Sequence, residues 1–207
     1  VTLPPRASAA AMAAGGMASR EGRATASALA GAGVNLNLAP VADVAQVANS
    51  FLGTRAFGRD SRGVARSACA FSRGQREGGV FPTLKHFPGL GTAGANTDFD
   101  DVTIRASAAT IRAGYAPYRR CANDGLVMVA NARYPALTGS LPAVLAPRTY
   151  TRELRRVGFS GVTISDDLQA AGVDPIPELA VKTSRAGLDI LLYAKTEQAA
   201  ALAYTQM

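Results

Sequence analysis

Aromatic side chains and clustered charges are scarce in this chain of 207 residues. Tryptophan is absent, aromatic residues make up 6%, and no run of five like charges occurs, although 22 basic residues outnumber 15 acidic ones. Nucleic-acid binding uses stacking aromatics or a clustered basic face, so this composition argues against such a partner. The formal net charge of +7 leaves anionic polymers such as cell wall as nonspecific partners.

Cysteine and histidine are also rare. Cys69 and Cys121 can be two buried thiols or one disulfide, and the sequence leaves both open. No Cys/His spacing typical of a metal site is present, so neither a metal nor a cofactor is expected. No apolar run reaches the roughly 18 residues of a membrane span. No signal peptide is visible and the chain opens on Val1, so we expect a processed or truncated N-terminus. The compartment, cytoplasm or cell envelope, stays open, as does the oligomeric state.

Hydrophobic residues at 48% and charged residues at 18% are typical of a soluble globular domain. Apolar runs and alternation predict strands over 34–41, 80–86, 126–130, 162–165 and 188–193. Helical patterns predict helices before the Gly15-Gly16 break and over 19–30, 61–77, 104–121 (interrupted near Pro117), 148–157, 177–186 and 196–207, with a loop over 135–147. Alternating helices and strands favour a parallel sheet covered by helices.

Polar side chains follow four of these strands, at the point where each strand ends. They are Asp43, Lys85, His86, Asn131, Asp166 and Asp167. Because the carboxyl ends of parallel strands share one edge of a sheet, we expect these groups to converge on one site.

The stretch 80–98 is the centre of this pattern. An apolar strand ends in Lys85 and His86, the only histidine, and a loop with three glycines follows. Each residue also has a plainer reading. Lys85 can be a solvated cation, His86 a core histidine and Asp166 a helix N-cap.

Four motifs together resemble glycoside hydrolase family 3, and most closely its bacterial β-N-acetylglucosaminidases. The motifs are N-L-N-L-A-P-V-A-D-V (35–44), G-T-R-A-F-G-R-D (53–60), K-H-F-P-G (85–89) and I-S-D-D-L (164–168). The resemblance implies a (β/α)8 barrel, of which residues 1–207 supply about the last five strand–helix units as one domain. It therefore implies that the N-terminal strands are missing, and we expect a fragment whose barrel is completed by another segment or a second chain; the alternative is a reduced domain that folds alone.

The resemblance also assigns roles to residues. Asp166 matches the family nucleophile of a retaining glycosidase. Lys85 and His86 match residues that bind sugar hydroxyls, and Arg55 matches a substrate-contacting arginine whose plainer reading is a surface cation. Asp43 and Asp167 match supporting positions, and Asn131 stands at a substrate-facing position where the family tends to show histidine.

The chain departs from the family at the acid/base. The family's Asp-Ser-His triplet corresponds here to Asn96-Thr97-Asp98, and no second histidine replaces the missing one. Three arrangements are open. Asp98 is itself the acid/base, the acid is absent, or a carboxylate comes from a missing segment or partner.

The leading hypothesis is therefore a retaining glycosidase acting on β-linked N-acetylglucosamine or a related β-linked sugar, with Asp166 as nucleophile and Asp98 as acid/base. A rival hypothesis is a carbohydrate-binding pseudoenzyme of the same fold. A third is a Schiff-base aldolase with Lys85 as the amine, although it leaves the other motifs without a role.

Overall fold

Four short parallel strands form the sheet of the computed structural model, which describes residues 3–171 and 178–206. The strands are β1 (Leu36–Asn37), β2 (Phe81–Phe87), β3 (Leu126–Val129) and β4 (Thr163–Ser165), and they lie side by side in chain order. All three pairings are parallel. Beyond β4, Ile190 makes a single parallel bridge to Ile164.

Helices connect these strands and cover the sheet. They are α1 (Ala9–Ala14), α2 (Ala18–Gly31), α3 (Ser61–Glu77), α4 (Ala108–Ala113), α5 (Ala116–Cys121), α6 (Pro135–Thr138), α7 (Leu179–Ala186) and α8 (Glu197–Gln206). In the described ranges, none of them has the length and apolar character needed to cross a membrane. Because helices alternate with parallel strands along the chain, the structure confirms the predicted α/β class.

Helix α3 illustrates how the sequence sets an element's bounds. The Asp60 carboxylate accepts hydrogen bonds from the backbone N–H groups of Arg62 and Gly63, at 3.3 and 2.7 Å, and so caps the first turn. Gly78 ends the helix. The observed bounds agree with the predicted 61–77, because both end signals are local.

Helices α2 and α3 pack at van der Waals distance through glycine. A side chain at Gly22 would collide with the Phe71 carbonyl, and one at Gly74 would collide with the Ser19 carbonyl. Because only glycine lets the two backbones approach this closely, these two positions fix how α2 lies on α3.

The main core lies between the sheet and helices α4 and α5. Phe87, at the end of β2, packs against Tyr115 and Tyr118 with ring centroids 5.2 and 5.1 Å away. The buried Glu153 carboxylate receives two bonds from Arg112, at 3.0 and 2.7 Å, and one from the Tyr115 hydroxyl at 3.1 Å. These bonds lower the pKa of Glu153 against the opposing effect of burial, and tie the segment after β3 to α4 and α5.

Two predicted strands are shorter in the structure. The strand predicted over 34–41 is limited to β1, because Pro40 cannot donate to a ladder. Beyond β1 the Ala39 and Pro40 carbonyls accept the Thr83 and Lys85 N–H groups, and Val41 makes a bridge to Lys85. The strand predicted over 188–193 is reduced to the Ile190 bridge, since the Ser165 side chain accepts the Leu192 N–H that a ladder would use. The structure thus supplies four strands and a bridge rather than five strands.

The helix predicted over 104–121 is wrong in its first turn and in the position of its break. The Ile104 N–H donates to the Arg133 carbonyl at 2.8 Å, so this part is extended, and Ser107 caps α4 only afterwards. The break falls at 114–115, whereas Pro117 lies in the first turn of α5, where proline is tolerated.

The remaining differences are smaller. The loop predicted over 135–147 contains α6 and a 3-10 turn, Ala143–Leu145, and the helix predicted over 148–157 contains a π-helical segment, Thr149–Leu154. The predicted starts and ends at Pro177 and Met207 lie outside the described residues.

Cys69 and Cys121 form a disulfide between α3 and α5, which decides the alternative that the sequence left open. The bond closes a loop with a sequence separation of 52 residues. A cross-link of this span removes conformational freedom from the unfolded chain, so it stabilises the fold.

We predict that replacing both cysteines with alanine lowers the free energy of unfolding by about 2–4 kcal/mol, because the loop then closes without the cross-link. Denaturant unfolding measures the change. Reductant should destabilise the wild type to a similar extent and leave the double variant unchanged. Equal stability of the wild type with and without reductant would contradict the prediction.

Candidate active site

The carboxyl end of β2 presents Lys85 and His86. The strand runs through the core, where Leu84 and Phe87 are fully buried, so its end is held rigidly. The imidazole of His86 is 5% exposed, and the Lys85 side chain is half-buried. Two peptide bonds here, Lys85–His86 and Phe87–Pro88, are cis.

Asp43 holds this strand end in place. Its Oδ2 lies 2.7 Å from His86 Nδ1 and accepts the His86 backbone N–H at 3.2 Å, while Oδ1 accepts the Leu90 N–H at 2.7 Å. The carboxylate is 1% exposed, so these donors replace its lost hydration. With Nδ1 facing Asp43, Nε2 is the ring nitrogen left for a ligand.

Asp166 lies at the end of β4, where hydrogen bonds with backbone groups hold it in place. The Asp166 N–H donates to the Val129 carbonyl of β3 at 2.9 Å, and Asp166 Oδ1 accepts the Asp167 N–H at 3.0 Å. The side chain of Asp167 turns away, since its Oδ1 accepts the N–H groups of Gln169 and Ala194 at 3.0 and 3.1 Å. Asp166 is therefore the carboxylate that these contacts leave at the sheet edge.

Asn131 lies just past β3 and contacts the backbone beside Asp166. Its Nδ2 donates to the Asp167 carbonyl at 2.8 Å, and the side chain is fully buried. Its Oδ1 has no hydrogen-bond partner within the described residues. The structure thus shows a contact with the backbone beside Asp166, and the expected contact with substrate stays a prediction.

The charges at the ends of β2 and β4 act on one another. Burial, the largest effect, lowers the pKa of Lys85, and the Arg55 guanidinium lowers it further. The carboxylates of Asp166, Asp43 and Asp98 oppose this and raise it, with Asp166 the strongest of the three. The geometry agrees with this, because the parallel register sets Phe87 beside Val129 and Val129 beside Ser165, so that the ends of β2 and β4 lie at the same edge of the sheet.

Asp98 and Arg55 are the exposed members of the group. Arg55 ends a 3-10 turn, Gly53–Arg55, in the long loop after β1. Asp98 lies in the loop after β2, where the Asn96 side chain accepts its N–H at 3.1 Å. An apolar cavity of about 240 Å³ lies beside Arg55, between α1 and the end of β1, and Lys85, His86 and Asp166 do not line it.

Sequence reasoning missed Tyr134. Its hydroxyl donates to the Gly89 carbonyl at 3.1 Å, which anchors the loop after Lys85 and His86. Burial raises its pKa well above the ordinary value, and the nearby Asp43 carboxylate adds to the effect. The only sequence signal for this role of Tyr134 is that an aromatic residue stands three positions after Asn131. Among the described residues, no group of three or more His, Cys, Asp and Glu side chains is arranged to hold a metal.

A parallel sheet whose carboxyl edge gathers an ammonium, an imidazole and carboxylates is the ligand-binding arrangement of (β/α) barrel proteins. The family comparison agrees with this class. Residues 1–206 match the model of the Glycosyl hydrolase family 3 N terminal domain. The chain belongs to glycoside hydrolase family 3, and its parallel sheet is part of that family's barrel.

Curated relatives are identical to this chain at about a third of the aligned positions. An uncharacterized secreted glycosyl hydrolase of Arthroderma benhamiae is 39% identical over 186 residues, which cover 84% of this chain and 53% of that protein. The β-hexosaminidase LpqI of Mycobacterium tuberculosis is 34% identical over 184 residues, or 82% of this chain and 47% of that protein. The chain spans about half the length of these relatives.

Solved structures give the same family. The β-N-acetylhexosaminidase of Beutenbergia cavernae superposes with a TM-score of 0.85 at 31% identity, over 95% of this chain and 63% of that one. A family 3 β-N-acetylglucosaminidase of Paenibacillus sp. superposes with a TM-score of 0.89 at 29% identity, over 100% of this chain and 41% of that one.

We predict that Lys85→Met raises the melting temperature by about 2–4 °C at pH 7, because a half-buried cation at a functional site costs folding stability. Burial lowers the pKa of Lys85 in the folded state, so the cost of burial is greatest at pH values where the folded protein still carries the proton. Above the lowered folded pKa the native state loses its proton first, so the advantage of methionine should shrink as the pH rises toward 10.5.

Thermal unfolding at pH 7 and pH 10 measures both effects. Lys182→Met is the matched control, because Lys182 is exposed and pairs with the exposed Glu178, so its replacement should shift the melting temperature little. A lower melting temperature for Lys85→Met at pH 7 would show that the ammonium stabilises the fold.

Proposed function

We propose that this chain carries the catalytic site of a retaining glycoside hydrolase that removes terminal β-linked N-acetylglucosamine. The observation that carries the proposal is the parallel register of β2, β3 and β4, which sets Asp166 at the same sheet edge as Lys85 and His86. The names of the relatives, β-hexosaminidase and β-N-acetylglucosaminidase, support the choice of sugar.

Asp166 is the proposed nucleophile. The Asp167 N–H binds Oδ1, which leaves Oδ2 to attack the anomeric carbon. The bond from that carbon to the leaving oxygen breaks as the new bond to Oδ2 forms, and an acid supplies a proton to the leaving oxygen. Water then attacks the same carbon, releases Asp166, and gives a product with the original configuration.

Three hydrogen-bond donors of the candidate site have a different role. Lys85, His86 Nε2 and Arg55 are donors that can hold the ring hydroxyl groups of the sugar. Donors that are fixed before the reaction stabilise the charge that develops in the transition state without any reorganisation. The bond between Asp43 and His86 provides this fixation.

Asp98 is the proposed acid, with Asp43 and Asp167 as supporting residues and Asn131 at the base of the site. We further propose that another segment or chain completes the barrel on the outer side of β1, the first strand of the sheet order. Such a segment could also cover the exposed Asp98 or supply a carboxylate in its place.

We predict that Asp166→Ala lowers kcat/KM for an aryl β-N-acetylglucosaminide by at least about 10³-fold, because the carboxylate that attacks carbon is gone. Added azide should occupy the vacated space, restore turnover of a dinitrophenyl glycoside, and yield the α-glycosyl azide. Product anomers are identified by NMR.

Two outcomes would contradict this assignment. Equal and slow cleavage by the wild type and Asp166→Ala would remove Asp166 as nucleophile. Measurable sugar binding by a wild type that turns over no activated glycoside would instead identify a carbohydrate-binding pseudoenzyme.

We predict that Asp98→Asn slows hydrolysis of an alkyl glycoside by about 10²–10⁴-fold, because a poor leaving group needs its proton. The dinitrophenyl glycoside, whose leaving group needs no proton, should be far less affected. Asp100→Asn removes an exposed carboxylate from the same loop and is the matched control. An equal loss with both substrates would exclude Asp98 as the acid.

A further inference from the structure

An arginine-lined groove lies between helices α3 and α5, outside the proposed active site. Its volume is about 400 Å³. Small side chains and four guanidinium groups line it, from Arg62, Ala65, Arg66, Ala116, Arg119 and Arg120. All four arginines are exposed, and no carboxylate is part of the lining.

The width of this groove is fixed at both ends. At one end the Ser61 hydroxyl, at the start of α3, donates to the Ala113 carbonyl at 2.7 Å. At the other end the Cys69–Cys121 disulfide joins the two helices, with the Cα atoms 5.7 Å apart. The arginines lie between these two connections, so a ligand meets walls that are already in position.

The charges in the groove are not neutralised by the protein. Across residues 3–171 and 178–206, none of the four guanidinium groups takes part in an ion pair, whereas Arg112 and Arg133 each have a carboxylate partner. Four like charges around one concave surface repel one another. They also produce a local positive potential that attracts an anion.

The chemistry of the lining selects the class of anion. Guanidinium groups bind carboxylate and phosphate in a bidentate manner, so an oxyanion is the expected ligand. A single-stranded nucleic acid would use aromatic side chains for base stacking, and the lining has none. An anionic glycan needs only its charged groups to be bound, so it fits a groove whose base is formed by alanine.

One end of the groove, at the start of α3, lies near the active-site end of the sheet. Helix α3 follows β1, and a helix that follows a parallel strand begins near the carboxyl end of that strand. Arg62 and Arg66 lie in the first two turns of α3. They are therefore near the carboxyl end of the strands, where Lys85 and His86 are found.

We infer that this groove binds a glycan chain bearing carboxylate or phosphate groups, and so retains an anionic polymer at the enzyme. The choice of a glycan over other polyanions rests on the proposed glycosidase function. The groove would then concentrate the polymer near the site, and its contribution would fall as salt screens the charges.

The test measures binding of fluorescent oligogalacturonate, which carries carboxylates, and of a phosphomannan oligomer, which carries phosphates. We expect Arg62→Gln/Arg66→Gln/Arg119→Gln/Arg120→Gln to lose at least tenfold in affinity for one or both. The slope of log affinity against log salt should also fall by about 2–3. If the quadruple variant does not fold, the two double variants, Arg62/Arg66 and Arg119/Arg120, replace it.

The matched control removes four exposed arginines outside the groove, by glutamine substitution at Arg105, Arg148, Arg155 and Arg185. Its net charge equals that of the groove variant, and it should keep near wild-type affinity. Equal losses in both variants would mean attraction by net charge alone and would overturn the groove. Equally tight binding of single-stranded DNA, or binding of a neutral chito-oligosaccharide unaffected by the groove variant, would overturn the glycan assignment.

The same measurements in an Asp166→Ala background separate this inference from the proposed function. Groove-dependent binding should persist there, since no step of hydrolysis is involved. A wild type that binds through the groove but hydrolyses no glycoside would remove the proposed function and leave an oxyanion groove. Hydrolysis without groove-dependent binding would remove the groove alone.

Discussion

The arrangement of the site depends on one buried carboxylate. Asp43 accepts three hydrogen bonds, from the ring and backbone of His86 and from the backbone of Leu90. A buried charge persists only where such donors replace water. Because two of these donors are backbone groups, Asp43 fixes the path of the chain after β2 as well as the orientation of the imidazole. The Tyr134 hydroxyl holds the same loop from the other side, at Gly89.

The rest of the structure makes the site rigid at some cost in stability. Lys85 is held where burial disfavours its charge, and the nearby carboxylates offset only part of that effect. The stabilising contacts lie elsewhere, in the aromatic packing of Phe87, the buried Glu153 cluster and the Cys69–Cys121 disulfide. A fold that is stabilised away from its site can tolerate an unfavourable charge within it.

Local signals predicted the elements that local contacts form. The α3 bounds follow from Asp60 and Gly78, and β2 from an uninterrupted apolar run. Apart from the strand shortened at Pro40, the larger failures are at places where distant contacts decide. Ile104 is extended because it pairs with Arg133, far along the chain, and Leu192 leaves the ladder for a side chain, Ser165. No periodicity in the sequence carries that information.

The residues of the candidate site could be predicted from the sequence, but the contacts between them could not. Strand ends identified Asp43, Lys85, His86 and Asp166, because parallel topology alone brings such positions to one edge. The sequence could not show that Asn131 binds the Asp167 carbonyl, or that Cys69 reaches Cys121 across a separation of 52 residues. Both depend on the packing of neighbouring elements.

The exposure of Asp98 connects the open sheet with the proposed chemistry. A carboxylic acid gives its proton to a leaving group efficiently only where water is excluded and the neutral form is favoured. Asp98 is exposed in this chain, and so is Phe99 beside it, at 79%. An apolar ring next to the proposed acid is a surface that a bound sugar or a completing segment can cover. Covering it would remove water from Asp98 at the moment a substrate is in place, so closure of the site and supply of the proton would be one event.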